Sequence, residues 1–347
     1  MVGKIKIGAD IEELERHMKS VIKKCLITGI TGQDGAYLAQ FLLKKGYEVI
    51  GVLSQGHQHS MERLKLLGVE GNINLLSCNL TDVDHIQKLL SDVRPEEIYN
   101  LAAISSVGFS FEKPEQTMQY NVLSVVALLE AIRRLRMDVR MYQASSSEMF
   151  GNSPSLPVIE DSLLNPISPY AISKVTGHLL VKNYRLAYKM FCCSGILFNH
   201  ESVLRPDNFV TKKILSTAVK ISKGSQEKLK LGNISIKRDW GYAPDYVQGM
   251  WLMLQQSFPK DYVIASGQTR SLQEFVDFTF RNLNLCWEDH VEIDKNLYRP
   301  ADIAVTMGDA SKAKKEMGWE YELSFSDLVT QLVKDEVQFQ TFHTLIC

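Results

Sequence analysis

The chain predicts an α/β fold, a Rossmann-type doubly wound parallel sheet with a smaller C-terminal α/β lobe. Three observations predict it. Short apolar runs alternate with helical patterns from Lys24 to Leu197, the rhythm of strand–helix–strand units. The first of these junctions carries Gly29, Gly32 and Gly35, the spacing of a phosphate-binding turn. At 347 residues the chain is long for one compact core, so two lobes are expected.

The elements follow in order. Residues 1–22 precede the first strand and read as an N-terminal extension. Ile11, Leu14, Met18 and Val21 recur at helical spacing there without a chemical motif, so a docking helix or a poorly packed tail is expected. Residues 23–198 are mainly the dinucleotide-binding domain. Cys25 to Thr28 predicts its first strand, a helix runs through Leu38, Phe41 and Leu42 to Gly46, and Tyr47 to Leu53 is the second strand. Ile73–Ser77, Glu97–Leu101, Arg140–Ala144 and Cys192–Leu197 predict four more. After Asn199 the rhythm breaks, and residues 199–347 are mainly the second lobe, with some segments returning to the first. Phe209–Lys223 reads as a helix, followed by the stretch Lys228–Leu231 and by Arg238–Tyr242 as a loop. Helices are expected near 245–256, 271–285 and 324–340. Late insertions of this kind build a lid over a substrate. Repeats and low-complexity linkers are absent from the sequence.

Composition narrows the function. A net charge of −1 gives no reason to expect nucleic acid or an anionic membrane as partner. No apolar run approaches the roughly 20 residues needed to span a bilayer, and Asp10, Glu12, Glu13 and Glu15 are foreign to a signal peptide. Six cysteines (Cys25, Cys78, Cys192, Cys193, Cys286, Cys347) are scattered without metal-ligand spacing and read as reduced thiols. His57 and His59 lie in a polar loop and read as solvated, so no metal is expected. A soluble, cytoplasmic protein follows from this composition.

Two clusters carry chemistry. In the turn Gly29-Ile30-Thr31-Gly32-Gln33-Asp34-Gly35 the glycines permit close backbone approach, and the helix N-terminus behind them favours a pyrophosphate. The end of the second strand, Leu53-Ser54-Gln55-Gly56-His57, offers neither an acid for a ribose 2′-hydroxyl nor an arginine. The missing acid removes repulsion against a 2′-phosphate, and Arg63 lies nearby, so NADP is the expected cofactor and NAD the alternative. In the second cluster, Tyr170 and Lys174 stand one helical turn apart on the same face. An ammonium beside a phenol favours the phenolate, so Tyr170 is expected to act as a base below its ordinary value of about 10. The preceding Ser145-Ser146-Ser147-Glu148 adds a carboxylate that a simple alcohol dehydrogenase does not need.

These strings are joined by Glu97-Ile98-Tyr99-Asn100-Leu101-Ala102-Ala103, Asn199-His200-Glu201-Ser202, Asn208-Phe209-Val210-Thr211-Lys212-Lys213, Lys237-Arg238-Asp239-Trp240-Gly241 and Tyr298-Arg299-Pro300. With them, residues 23–340 resemble the GDP-mannose 4,6-dehydratases, extended short-chain dehydrogenase/reductases acting on nucleotide sugars. The resemblance implies that Ser146 (threonine in most relatives), Glu148, Tyr170 and Lys174 are catalytic. It implies cofactor contacts from Gly29, Thr31, Gly32, Gln33, Asp34, Gly35, Ser54, Arg63, Asn79, Leu80, Leu101, Ala102 and Ala103, besides Tyr170 and Lys174. For a GDP-sugar it implies Arg238 and Arg299 as diphosphate clamps, since guanidinium binds phosphate bidentately, with Asn199, Asn208 and Lys213 as further contacts. It also implies a homodimer formed by helices near 115–136 and 170–190. Three positions depart from the family: Ser54-Gln55 replace an arginine pair that serves NADP and a tetramer contact, Asn79 replaces an aspartate, and Val203-Leu204-Arg205-Pro206-Asp207 replace a more basic, glycine-containing stretch. These departures leave three alternatives: a dehydratase of another GDP-sugar such as a heptose, a 4-reductase or epimerase (against which Glu148 argues), and a non-catalytic dinucleotide-binding paralogue.

Overall fold

A computed structural model describes residues 22–56 and 58–346. The expected extension, apart from its last residue, and His57 lie outside the described residues. Twelve strands are described. They are β1 (Lys24–Thr28), β2 (Glu48–Ser54), β3 (Asn74–Cys78), β4 (Glu97–Asn100), β5 (Arg140–Ser146) and β6 (Cys192–Leu197), then β7 (Asn199–Glu201), β8 (Leu229–Leu231), β9 (Lys237–Tyr242), β10 (Tyr262–Ile264), β11 (Thr269–Ser271) and β12 (Val291–Ile293).

β1 to β6 match the six predicted strands to within two residues at each end. Their interiors are short, nearly continuous apolar runs such as Cys25-Leu26-Ile27, fully buried, as expected of strands covered on both faces. All pair in parallel, in the order β10-β6-β5-β4-β1-β2-β3. The order reverses between β1 and β4, and a crevice opens there beyond the carboxyl ends of the strands. One apolar core fills each face. Ile30, Leu38 and Leu42 pack with Tyr246, Val247 and Met250 on one side, while Leu26, Ile86 and Leu90 pack with Leu128, Leu129 and Val181 on the other. β10, unforeseen in the sequence, joins the far edge after the helix Ala243–Gln255 returns the chain to the main sheet.

The rest of the C-terminal half has its own core. Helices Val210–Ser222, Leu272–Arg281 and Phe325–Ile346 pack Ile214, Leu215, Phe275, Phe280, Leu328 and Leu332 around Trp240. Arg238–Tyr242, expected as a loop, is instead the central strand of the sheet β11-β9-β7. Burial of Trp240 against Phe275 and Phe325 and of Asp239, whose carboxylate accepts from the backbone amides of Ser266, Gly267 and Gly308 at 2.9, 3.0 and 3.2 Å, holds this polar run extended. Lys212 and Glu336, both buried, form an ion pair at 2.6 Å that fastens the last helix to this lobe. Among the described residues, no helix is long and apolar enough to cross a membrane.

Candidate active site

A single cleft of about 500 Å³ runs from the glycine turn, across the ends of β4 and β5, to β7 and β9. The glycine turn forms its floor at one end. Gly29 has φ +71°, and a Cβ there would lie 2.8 Å from the Ala102 nitrogen; a Cβ on Gly35 would lie 2.3 Å from the Gly29 carbonyl oxygen. Only glycine fits this packing of turn against strand end. The helix Gln33–Lys44 that follows has no side-chain cap, which leaves its first amides available to an anion. This cradle fits the pyrophosphate of a dinucleotide. Gly29, Thr31, Gly32, Gln33, Asp34, Gly35, Ser54, Arg63, Leu101, Ala102 and Ala103 all line the cleft.

Asn79 and Leu80 do not. The Asn79 carboxamide turns onto its own backbone, accepting from the Thr81 amide at 3.1 Å and the Thr81 hydroxyl at 2.9 Å, and Leu80 packs into the core beneath.

The four residues expected to be catalytic meet at the middle of the cleft. β5 ends at Ser146, and a single 3-10 turn, Ser147–Phe150, carries Glu148. The Ser146 hydroxyl accepts from the Glu148 amide at 3.2 Å, which fixes the carboxylate at the strand end. The facing helix, Pro169–Tyr188, begins with Ser168 as its cap, accepting from the Ala171 amide at 3.1 Å. Its first turns present Tyr170 and Lys174, both buried. Tyr170 hydrogen-bonds Ser146, and the Lys174 ammonium lies 5.7 Å from the centre of the Tyr170 ring.

A buried polar ladder supports Lys174. The Thr28 hydroxyl donates to the Asn100 carboxamide oxygen at 2.6 Å, Asn100 donates to Gln143 at 2.7 Å, and Gln143 donates to the Ala144 carbonyl at 3.1 Å. The same carbonyl accepts the Lys174 ammonium at 2.9 Å. Three strand ends are thus tied to the Lys174 side chain.

The electrostatics differ from the sequence expectation. Burial pushes the Tyr170 phenol up to about 12; its bond to Ser146 and the charge of Arg205 pull it down, while Glu148 and Asp34 push it up. Lys174 is itself lowered to about 8 by burial, so it is a weaker cation here than spacing alone implies. Burial also raises Glu148, against the pull of the Arg238 and Arg299 guanidinium groups and with the push of Asp302.

On the opposite wall stand Asn199, Asn208, Arg238 and Arg299. Arg238 is buried and committed: it donates to Asp302 at 2.8 Å and to the Ile303 carbonyl at 2.6 Å. Arg299 is more exposed and pairs with the same Asp302 at 3.7 Å. Lys213 is not in the cleft; its ammonium donates to the Lys230 carbonyl at 2.7 Å. Thr211 lines the cleft, and two residues on, at about 200° around the helix, Lys213 faces away.

Arg205, Glu201 and His200 line the cleft although the sequence does not mark them as site residues. Arg205 stacks on Phe209 at 4.1 Å and pairs with Glu201 at 3.2 Å. His200, which is buried, and the partly buried Asp34 form an ion pair at 2.9 Å, with Gln33 bridging to Asp34 at 3.0 Å and to the His200 carbonyl at 3.1 Å. Burial opposes both charges, yet the pairing holds Asp34 low and raises His200. Of the Asn-His-Glu-Ser string, His200 and Glu201 line the cleft together with the expected Asn199.

Comparison with known proteins agrees with this geometry. The family model for GDP-mannose 4,6 dehydratase matches residues 26–332. GDP-mannose 4,6 dehydratase 1 of Arabidopsis thaliana is 45% identical over 326 residues, covering 91% of this chain and 90% of its own length. Among solved structures, DesIV, a dTDP-glucose 4,6-dehydratase from Streptomyces venezuelae with NAD bound, superposes with TM-score 0.81 at 21% identity, covering 92% of this chain and 98% of that one. RMD from Pseudomonas aeruginosa, complexed with NADPH, gives TM-score 0.75 at 20% identity over 91% and 99% of the two chains. These two establish the fold. The family match and the Arabidopsis relative, both running nearly the full length of the chain and across every wall of the cleft, show that it belongs to the GDP-mannose 4,6-dehydratase family.

Proposed function

We propose that this protein removes water from GDP-mannose, giving GDP-4-keto-6-deoxymannose, with a nicotinamide dinucleotide held in the cleft. The observation that carries this reading is that Glu148, Ser146, Tyr170 and Lys174 line one cleft and form a chain of neighbours, Glu148 to Ser146, Ser146 to Tyr170 and Tyr170 to Lys174. A reductase or epimerase needs the phenol and the ammonium but no carboxylate base.

The C5 proton of a hexose is not acidic, and water cannot leave across C5–C6 until C4 is a ketone that makes the C5 carbanion an enolate. When bound, the nicotinamide supplies a hydride acceptor for C4 and a hydride donor for C6, with no net consumption. In this reading Tyr170 takes the C4 hydroxyl proton, and its high resting value means that deprotonation awaits added positive charge in the cleft. Ser146 bonds the C4 oxygen and orients it. Lys174, held by the Ala144 carbonyl, fixes the ribose and favours the Tyr170 phenolate. Glu148 removes the C5 proton, and in its raised protonated form it can assist the C6 hydroxyl as it leaves. General acid–base help of this kind is worth roughly 100- to 10,000-fold per step. Arg299 and Asn208 would hold the diphosphate, with Asn199 at the sugar. Arg238 would act from behind, setting Asp302 and the charge felt by Glu148.

Incubation of the purified protein with GDP-mannose and either NADP or NAD is expected to yield a sugar nucleotide lighter by one water. Absence of that product, with GDP-mannose bound, would overturn the assignment of substrate in favour of another GDP-sugar. Pro206, which lines the cleft in the segment that departs from the family, is the residue that favours this second reading.

A homodimer is part of the proposal. Ile172, Leu179 and Leu186, seven residues apart on the helix Pro169–Tyr188, are 44%, 49% and 61% exposed, and Leu123 on the neighbouring helix Pro114–Leu135 is 47% exposed. Such a stripe suits pairing with a second copy. A cytoplasmic location is supported by five free cysteines among the described residues.

A further inference from the structure

In a doubly wound fold the end of the second strand receives the adenosine ribose, and the side chains there select a 2′-hydroxyl or a 2′-phosphate. Ser54, Gln58, His59, Arg63 and Tyr120 line that end of the cleft. Ser54 is buried and hydrogen-bonds the Tyr120 phenol. Its carbonyl accepts from the His59 Nε2 at 2.8 Å, and the other ring nitrogen lies 3.5 Å from the Thr31 hydroxyl. Among the described residues at this end, Arg63 is the one side chain with a permanent positive charge. Its guanidinium is already engaged: Nε donates to the Leu204 carbonyl at 2.7 Å and Nη1 to the Thr31 carbonyl at 3.1 Å. Its charge is also shared with the carboxylates of Glu62 and Asp207.

A 2′-phosphate carries close to two negative charges and needs charge-assisted donors to replace its water. A 2′-hydroxyl needs only a neutral donor or acceptor, which a serine hydroxyl and a phenol supply. We propose that the wall of Ser54, Tyr120 and His59, which carries no permanent charge, selects NAD over NADP. In this assignment Arg63 is a strut between the glycine turn and the 203–207 segment rather than a phosphate clamp. The inference rests on the reading of the cleft as a nicotinamide dinucleotide site, and it revises the expectation of NADP drawn from Arg63 in the sequence.

The test is equilibrium titration of the full-length protein with NADH and with NADPH, followed by the nicotinamide fluorescence. NADH is expected to bind at least about tenfold more tightly, the scale of one charged group left poorly compensated. The nucleotide released on denaturing freshly purified protein is expected to be NAD or NADH. Ser54→Arg is expected to improve NADPH binding selectively, and Arg63→Ala to weaken both nucleotides alike. Equal or tighter binding of NADPH by the unaltered protein would overturn the proposal, as would a loss confined to NADPH in Arg63→Ala. Failure of both nucleotides to bind would remove the reading of the cleft and this proposal with it, whereas binding of NADPH alone removes only the proposal.

Discussion

The wall carrying Ser146, Glu148, Tyr170 and Lys174 and the wall carrying Asn199, Arg205, Asn208 and Arg299 face one cleft but are built differently. The first stands on a strand end and the opening turns of a long helix, with Ser146, Tyr170 and Lys174 buried, Ser146 and Lys174 tied to the backbone and Tyr170 to Ser146. The second is carried on a short strand and on connecting segments, and Asn208 and Arg299 are open to solvent. The difference matches the two tasks proposed for these walls. Proton transfer needs groups held to fractions of an ångström and shifted away from their ordinary pKa values, which burial supplies. Gripping a charged, flexible nucleotide sugar tolerates looser side chains, and its specificity can change by loop substitution.

The sharpest way to break this contrast is Glu148→Gln. The rate of water loss is expected to fall roughly 100- to 10,000-fold with KM for GDP-mannose little changed, measured by steady-state kinetics. A loss seen mainly in KM would mean that Glu148 belongs functionally to the binding wall. The same carboxylate sets a pH limb. A base must be ionised, and burial raises Glu148 above the usual carboxylate range, so kcat is expected to fall as pH drops through that raised value. The Gln variant lacks this limb.

Lys174→Met tests whether the chemical wall stores a cost. Burial lowers this lysine from 10.5 to about 8, so the folded protein holds the proton less tightly than the unfolded chain. The penalty is complete below about pH 8 and disappears as pH rises through 10.5. At pH 7 the inactive Met variant, free of cofactor, is expected to be more stable by about 1–3 kcal/mol. The gap, read by denaturant unfolding, should close toward pH 10.5.

The binding wall should respond more mildly. Arg299→Ala is expected to raise KM about tenfold, the scale of one charge-assisted hydrogen bond, with kcat nearly kept. Smallest of all is Lys213→Ala, since that ammonium serves the Lys230 carbonyl outside the cleft; a change in KM beyond about twofold would contradict its placement.

The same contrast explains what could be read in advance. β1 to β6 were legible because each is a short apolar run between turn residues, and Tyr170 and Lys174 because one helical period sets both on one face. β10 was not, being three residues long and sheltered at the sheet edge by a helix from later in the chain. The Asp34–His200 pair joins positions 166 residues apart, which no local pattern contains. Spacing placed Lys174 beside Tyr170 correctly but gave the wrong direction for the phenol, because burial, invisible in the sequence, outweighs the neighbouring charge. Arg205 belongs to a stretch that departs from the family and so has no motif to mark it, and Lys213 shares a string with cleft residues although the helix turns it outward.

The central claim is that one cleft oxidises C4, eliminates water and returns the same hydride to C6. GDP-mannose deuterated at C4 tests it most directly. The account predicts a product one water lighter, with deuterium on the C6 methyl group and no net change in the nicotinamide. A product whose methyl group lacks deuterium, or turnover that consumes cofactor in proportion to product, would contradict it.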